Sequence, residues 1–325
     1  MKIAFLSFYS GLVDRGVETY VHEVATRLTD LGDEVTVYQN GKSRQQTNYP
    51  VVYLPSLYLI PPFEMSPDII IPTNGRVQAV ASRIWSVLHR KKYLSIGQSG
   101  LGADDKLNLF TFPDVFIGLT DYQCEWARKI NPLIKTVRIG NGVDLKKFSP
   151  QTAGQKFGLP SPVVLSVSAM EPIKRLDLLI NAVAKTDLSL CLVGTGSLKD
   201  ELAAQGEKLL GSARFRLLSL PHDQIPSAYT GADIFAYTTS PWESFGIVML
   251  EALASNRPVV ATDDPIRKEI LGDAGILADP ANPEKFAAAL KQAVAANWGD
   301  KPQKRAQEFS WDKIANRYHE LFTKL

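Results

Sequence analysis

Hydrophobic positions in this chain come in short dense runs, set apart by turn residues and by stretches whose apolar residues recur every three or four positions. Runs at Ile3–Phe8, Glu34–Tyr38, Val51–Leu54, Ile69–Ile71, Tyr93–Ile96, Val115–Leu119 and Val137–Ile139 predict strands in the first part of the chain. Val163–Ser168, Leu188–Val193, Phe215–Leu218, Asp233–Thr238 and Arg257–Thr262 predict them in the second. Near-continuous apolar runs of this length suit a parallel sheet covered on both faces. Between them the spacing predicts helices. One covers Glu18–Leu31, with Val17, Val21, Val24, Ala25 and Leu28 on one face, and another covers Gln78–Leu88. A third runs from a Thr120-Asp121 cap to Ile130. More follow at 176–184, from Leu198, over Pro283–Ala295, and from Phe309-Ser310-Trp311-Asp312 to the end. Strand and helix alternate twice over, which predicts an α/β chain of two Rossmann-like domains.

The stretch Pro241-Trp242-Glu243-Ser244-Phe245-Gly246-Ile247-Val248-Met249-Leu250-Glu251-Ala252-Leu253-Ala254 lies between two of these strands. It reads as the loop and helix of one βαβ crossover, and ligands of such sheets bind at the carboxyl ends of the strands. Ser244, Phe245, Gly246 and Ile247 are read as opening the helix, where N–H groups without intrahelical partners attract an anion. Gly246 lets backbone approach a ligand closely. Glu251 stands one turn beyond Ile247, about 6 Å along the axis at ~1.5 Å per residue. That spacing suits a carboxylate on ribose hydroxyls while the helix start holds a diphosphate. Glu243, just outside, can accept hydrogen bonds from a sugar beyond the phosphates. An ordinary amphipathic helix with two surface glutamates accounts for the same residues. A paired-acid glycosidase does not, because eight helical residues span ~12 Å, against ~5–5.5 or ~6.5–9.5 Å for such pairs.

With its two glutamates, and with Ala252-Leu253-Ala254-Ser255-Asn256-Arg257-Pro258-Val259-Val260 after them, this segment resembles the E-x7-E signature of family-4 glycosyltransferases. Asn256 stands where that family usually has glycine, and asparagine also tolerates a left-handed cap. The segment Asn141-Gly142-Val143-Asp144-Leu145-Lys146-Lys147-Phe148-Ser149-Pro150 resembles the family's interdomain N-G-V-D-x-x-x-F-x-P. The resemblance implies the GT-B fold, with two Rossmann-like domains whose parallel sheets face a cleft and a C-terminal helix crossing back to the first. The implied division is 1–147 for the acceptor, 148–308 for the nucleotide sugar, and 309–325 as the returning helix.

Composition leaves this picture intact. Net charge is +2, and residues 1–147 carry 17 basic and 14 acidic side chains, so no clustered basic footprint for nucleic acid exists. Cys124 and Cys191 can form neither a disulfide framework nor a cysteine metal cage. No run reaches the ~18 apolar residues of a membrane span. The apolar start is too short for a signal peptide, so the expected location is cytoplasmic, with a peripheral position at the inner membrane face as an extension. The extension rests on His89-Arg90-Lys91-Lys92, whose default reading is simply a basic helix end answering its dipole. Pro55–Phe63 is apolar, aromatic and proline-broken, and reads as a packed loop or as a patch for an apolar acceptor. Asp104-Asp105 and Asp263-Asp264 are adjacent acids with no evident metal constellation.

The dinucleotide fingerprint G-x-G-x-x-G is absent after the first strand, which removes a nicotinamide dehydrogenase. Gly16 and Glu18 instead match the family's Gly-x-Glu pattern in the loop that nears donor phosphate and acceptor. Many relatives have a histidine after the strand at 93–96. Gln98 and Ser99 hold that place here, and neither is a general base near neutral pH. Lys174 matches the family's diphosphate lysine, Ala169 stands where arginine is frequent, and Arg175 is the replacement cation. Gly194 and Gly196, then Ser219 and Leu220, match the turns beside the nucleotide. These matches imply a retaining hexosyl-type transferase that uses a nucleotide-diphosphate sugar as donor and no other cofactor. Lys174, Arg175 and the amides of 244–247 would replace a divalent ion, and the acceptor would be a glycan, a lipid-linked sugar or a small molecule. The rival is a catalytically silent nucleotide-sugar-binding or scaffold protein of the same fold, motivated by the missing histidine.

Overall fold

The computed structural model describes residues 1–10, 12–13, 15–40, 46–54, 56 and 66–325. Two compact units emerge, one formed by 1–142 with 311–325 and the other by 143–310. Gly11 and the apolar 55–63 segment, Ser56 apart, lie outside the described residues.

The first unit runs β1 (Lys2–Leu6), α1 (Gly16–Asp30), β2 (Glu34–Gln39), β3 (Val51–Tyr53), β4 (Ile69–Pro72), α2 (Arg76–His89), β5 (Lys92–Ile96), α3 (Ala103–Leu109), β6 (Val115–Gly118), α4 (Asp121–Ile130) and β7 (Thr136–Arg138). Its sheet has the order β3-β2-β1-β4-β5-β6-β7, with every pair parallel. Burial on both faces explains the unbroken apolar runs of β1 and β4. Thr120 caps α4 as the sequence predicts, its hydroxyl accepting from the Gln123 N–H at 3.1 Å. Helix α3 falls partly where the sequence reads as loop. Its seven residues are too few for a periodic signal, and the buried carboxylate of Asp105 fixes its approach by accepting from Ser99 N–H at 3.0 Å.

The second unit begins with β8 (Val163–Val167). A 3₁₀ turn at Pro172–Lys174 leads to α5 (Leu176–Val183), β9 (Ser189–Val193), α6 (Lys199–Arg214), β10 (Phe215–Leu218), α7 (Ile225–Gly231) and β11 (Ile234–Tyr237). Then come α8 (Ile247–Ala254), β12 (Val259–Thr262), α9 (Pro265–Leu271), β13 (Gly275–Ala278), α10 (Pro283–Ala295) and α11 (Lys301–Gln307). The sheet order is β10-β9-β8-β11-β12-β13, again parallel throughout. Leu179, Ile180, Val183, Leu190, Phe215 and Phe286 belong to its main core. The sequence reading passes over α9 and α11, each of seven residues.

The last helix, α12 (Trp311–Phe322), belongs to the first unit. Trp311, Ile314, Ala315, Tyr318 and Phe322 form its buried face. Tyr20 of α1 meets Tyr318 at 5.8 Å and Trp311 at 6.4 Å between ring centroids. Each such large apolar side chain contributes roughly 1.5–3 kcal/mol by burial. At the rim, Arg27 holds Asp312 at 2.6 Å, and Asp33 receives both His319 and the N-terminal ammonium at 2.8 Å. The unit boundaries fall at 142/143 and 310/311, a few residues from the sequence estimate. The cause is local: Val143 N–H donates to Phe309 C=O at 2.9 Å, so the two ends of the second unit are tied together.

Candidate functional site

In the second unit the strand order reverses between β8 and β11, and such switch points are where parallel sheets take ligands. The loops leaving these two strands are knitted together. Thr238 Oγ1 donates to the carbonyls of Lys174 at 3.0 Å and Arg175 at 3.1 Å. Thr239 Oγ1 and the Ser240 N–H both donate to Ile173 C=O, at 3.1 and 2.9 Å. On this seam Lys174 Nζ donates to Glu243 Oε2 at 2.6 Å, with both side chains largely buried. Burial by itself depresses the Lys174 ammonium, but Tyr237 and Glu243 outweigh it, and its pKa lies above the ordinary lysine value. The pair places a cation and a carboxylate at one point on the switch. Arg175, at a left-handed φ of 51°, leads into α5 and forms no ion pair among the described residues.

Arg267 on α9 is the residue that the sequence reading missed. It is fully buried, and its guanidinium donates to three carbonyls of the same loop: Ser240 at 2.9 Å, Glu243 at 3.0 Å and Ser244 at 2.8 Å. Its Nε lies 2.9 Å from Asp264 Oδ2, whose other oxygen caps α9 by accepting from the Arg267 N–H. Burial raises the Asp264 carboxyl against the pull of Arg267. The fork of five donors makes arginine suited to gather several acceptors at once. In sequence, Arg267-Lys268-Glu269 looks like a solvated charged stretch.

The structure corrects the start of the glutamate-bearing helix. Helix α8 begins at Ile247, while Ser244, Phe245 and Gly246 form the loop before it. Gly246 has φ +81°, and a Cβ there would lie 2.9 Å from the Tyr237 ring. Only glycine satisfies both demands, so the helix cannot extend back through it. Phe245 is an anchor, buried with its ring edge-on to Phe309 at 6.1 Å. The first two N–H groups of α8, at Ile247 and Val248, lack intrahelical acceptors and follow Glu243 by four and five positions, while the Met249 N–H donates to Gly246 C=O at 3.0 Å. One turn on, Glu251 is held by the Tyr229 hydroxyl at 2.7 Å. Burial pushes the Glu251 carboxyl up to about 7, although that hydrogen bond favours its charged form. The two glutamates thus have separate partners, one ammonium and one phenol.

Gly194 and Gly196 follow β9. A Cβ at Gly194 would sit 2.0 Å from Ser168 C=O, and one at Gly196 2.5 Å from Met170 C=O. Met170 N–H donates to Thr195 C=O at 2.8 Å, so the glycines allow two backbone loops to touch. This close approach explains both residues without a ligand. Ser219 and Leu220 leave the end of β10, beside Gly194, whose N–H donates to Leu218 C=O at 2.9 Å.

Within the first unit, Gly16 opens α1 and Glu18 is buried under Arg15, which it holds at 2.8 Å. Gln98 follows β5 and forms a reciprocal amide pair with Asn141, at 3.0 and 3.2 Å. Ser99 is fixed through its N–H by Asp105. Asp104 pairs with Arg76 at 2.5 Å, so each acid of that doublet has its own partner. Cys124 and Cys191 are buried free thiols, with Cys191 pushed up to about 12 by burial.

Residues 149–310 match the family described as glycosyl transferases group 1. The whole chain is 27% identical to the phosphatidyl-myo-inositol mannosyltransferase of Mycolicibacterium smegmatis, over 97% of this chain and 92% of that one. It is 33% identical to the N-acetylgalactosamine-N,N'-diacetylbacillosaminyl-diphospho-undecaprenol 4-alpha-N-acetylgalactosaminyltransferase of Campylobacter jejuni, over 54% of this chain and 50% of that relative. Among solved structures, HepE of Anabaena in complex with UDP and glucose superposes with a TM-score of 0.79 at 21% identity, covering 100% of both chains. Sucrose-phosphate synthase of Thermosynechococcus elongatus gives 0.82 at 19% identity, over 99% of this chain and 98% of that one. The fold of this glycosyltransferase-like chain is therefore GT-B.

Proposed function

We propose that the protein is a retaining glycosyltransferase that moves a hexose from a nucleotide-diphosphate sugar without a divalent ion. The observation that carries this reading is the Lys174–Glu243 pair at the switch point between β8 and β11. Lys174 and Arg175 take the diphosphate together with the amides of 244–247. As the bond to the sugar breaks, the leaving diphosphate gains charge, and pre-placed cations and amides stabilise that change. Glu243 gives up Lys174 to the phosphates and accepts hydrogen bonds from the transferred sugar. Glu251 accepts from ribose hydroxyls, while Gly194, Gly196, Ser219 and Leu220 flank the nucleotide. The first unit takes the acceptor, with Gly16, Glu18, Gln98 and Ser99 as its polar groups. A lipid-anchored acceptor met at the inner membrane face is part of the proposal. Crystallisation of the Anabaena neighbour with UDP and glucose supports a nucleotide sugar as donor.

Purified protein is offered a panel of nucleotide sugars with excess chelator, and donor consumption is followed by nuclear magnetic resonance. The reading expects turnover of one donor, with the product anomer matching the donor. A rival has support in Gln98, whose amide is engaged by Asn141 and supplies no base. That rival, a silent nucleotide-sugar binder, expects a nucleoside diphosphate to bind with no donor consumed under any condition.

A further inference from the structure

Helix α2 is turned inside out. Its buried residues are Gln78, Ala79, Ser82 and Ser86. Its exposed residues include Val77, Val80, Ile84, Val87 and Leu88, between 49% and 73% accessible. At about 100° per residue these five fall within an arc of roughly 100° on one side of the helix. The inward choice is costly, because both amide atoms of Gln78 are buried without a partner among the described residues. A buried unpaired polar atom costs about 1–3 kcal/mol. Ordinary packing would put the valines inward and the glutamine out. An outer apolar stripe retained against that preference marks a surface that is covered in use.

The surroundings of the stripe say what covers it. From Ile69 to Ala103 the sequence has no acidic residue and five basic ones, Arg76, Arg83, Arg90, Lys91 and Lys92. Arg76 and Arg83 flank one edge of the arc, paired with Asp104 at 2.5 Å and Asp114 at 3.2 Å, and Lys91 is paired with Asp68 at 2.8 Å. Trp85, its ring stacked on His89 at 4.5 Å, stands at the other. Arg90 ends the helix in the left-handed conformation, and neither it nor Lys92 forms an ion pair among the described residues. Two cations without an acid partner, Arg90 and Lys92, at the end of an apolar stripe bordered by tryptophan are complementary to an anionic bilayer surface, where apolar side chains enter the acyl boundary and cations meet headgroups. The helix is about 21 Å long at ~1.5 Å per residue, and no helix among the described residues is long and apolar enough to cross a membrane. It would lie in the plane of the interface.

We propose that the outer face of α2 docks the protein on the surface of a bilayer that contains anionic lipids. This deepens the membrane contact of the reading above but does not need glycosyl transfer, so vesicle binding and donor turnover can fail separately.

The test is flotation of the purified chain with vesicles of phosphatidylcholine alone or of phosphatidylcholine with phosphatidylglycerol, at low and high salt. Wild type should float with the anionic vesicles, and less so at high salt. Ile84→Glu with Leu88→Glu should lower that partition tenfold or more, with melting temperature unchanged because both side chains already face water. Arg90→Glu with Lys92→Glu should abolish the preference for anionic vesicles. Three results overturn the proposal: wild type that floats with neither vesicle, Ile84→Glu/Leu88→Glu protein that floats as well as wild type, or a wild-type dimer that this double change dissociates, which would assign the face to a second copy.

Discussion

Lys174 and Glu243 are 69 positions apart in sequence, yet their charged atoms lie 2.6 Å apart across the seam between two strands of reversed order. Each neutralises the other, so on the proposed reading a diphosphate takes the lysine from the glutamate. Glu243→Gln should therefore leave nucleoside diphosphate affinity equal or tighter while donor turnover falls tenfold or more. Calorimetry and a donor-consumption assay on the same preparation separate the two effects.

Glu251 gives a pH signature. Its folded pKa of about 7 lies above the ordinary 4.5, so between these values the folded protein binds more protons than the unfolded chain. Stability therefore falls as pH rises through that window and levels off above it. Glu251→Gln removes that slope, and melting curves across the window should show the variant gaining on wild type as pH rises. If the charged carboxylate accepts ribose hydroxyls, nucleotide affinity rises with pH through about 7 in wild type and not in the variant.

Arg267→Met leaves Asp264 buried without its cation and frees three loop carbonyls. Breaking a buried pair from one side costs about 3–5 kcal/mol. Denaturant unfolding should show a loss of that order, and the double change with Asp264→Asn should cost less than the sum of the single changes.

Two glycines separate backbone strain from crowding. Gly32 has φ +91° with nothing within 4 Å of the place a Cβ would occupy, whereas Gly246 has φ +81° with the Tyr237 ring at 2.9 Å. Alanine at 32 should cost about 1–2 kcal/mol for the left-handed backbone alone. At 246 overpacking adds roughly 1–3 kcal/mol. Equal melting temperatures for the two variants would contradict this account of Gly246.

The parallel sheets were legible because short apolar runs ending in glycine leave few alternatives. Residues 243 and 251 stood out by their spacing about the start of one helix, and 174 by its match to the family's lysine. What the sequence hid depends on distance or direction. The Lys174–Glu243 contact joins two separate loops, and Arg267 sits in a run of charges that gives no sign of burial. The start of α8 moved from 244 to 247 because Gly246 takes φ +81° beside the Tyr237 ring, a contact that no local pattern encodes. Periodicity located α2 but could not tell which face it buries, and there the polar face won.

The most direct measurement is isothermal titration of UDP, GDP and ADP into wild type and Lys174→Met. At least one should bind wild type, and the variant should bind it tenfold or more weakly, about 1.4 kcal/mol. Wild type that binds none of the three, or a variant that binds as tightly as wild type, would contradict the placement of a diphosphate at the seam between β8 and β11.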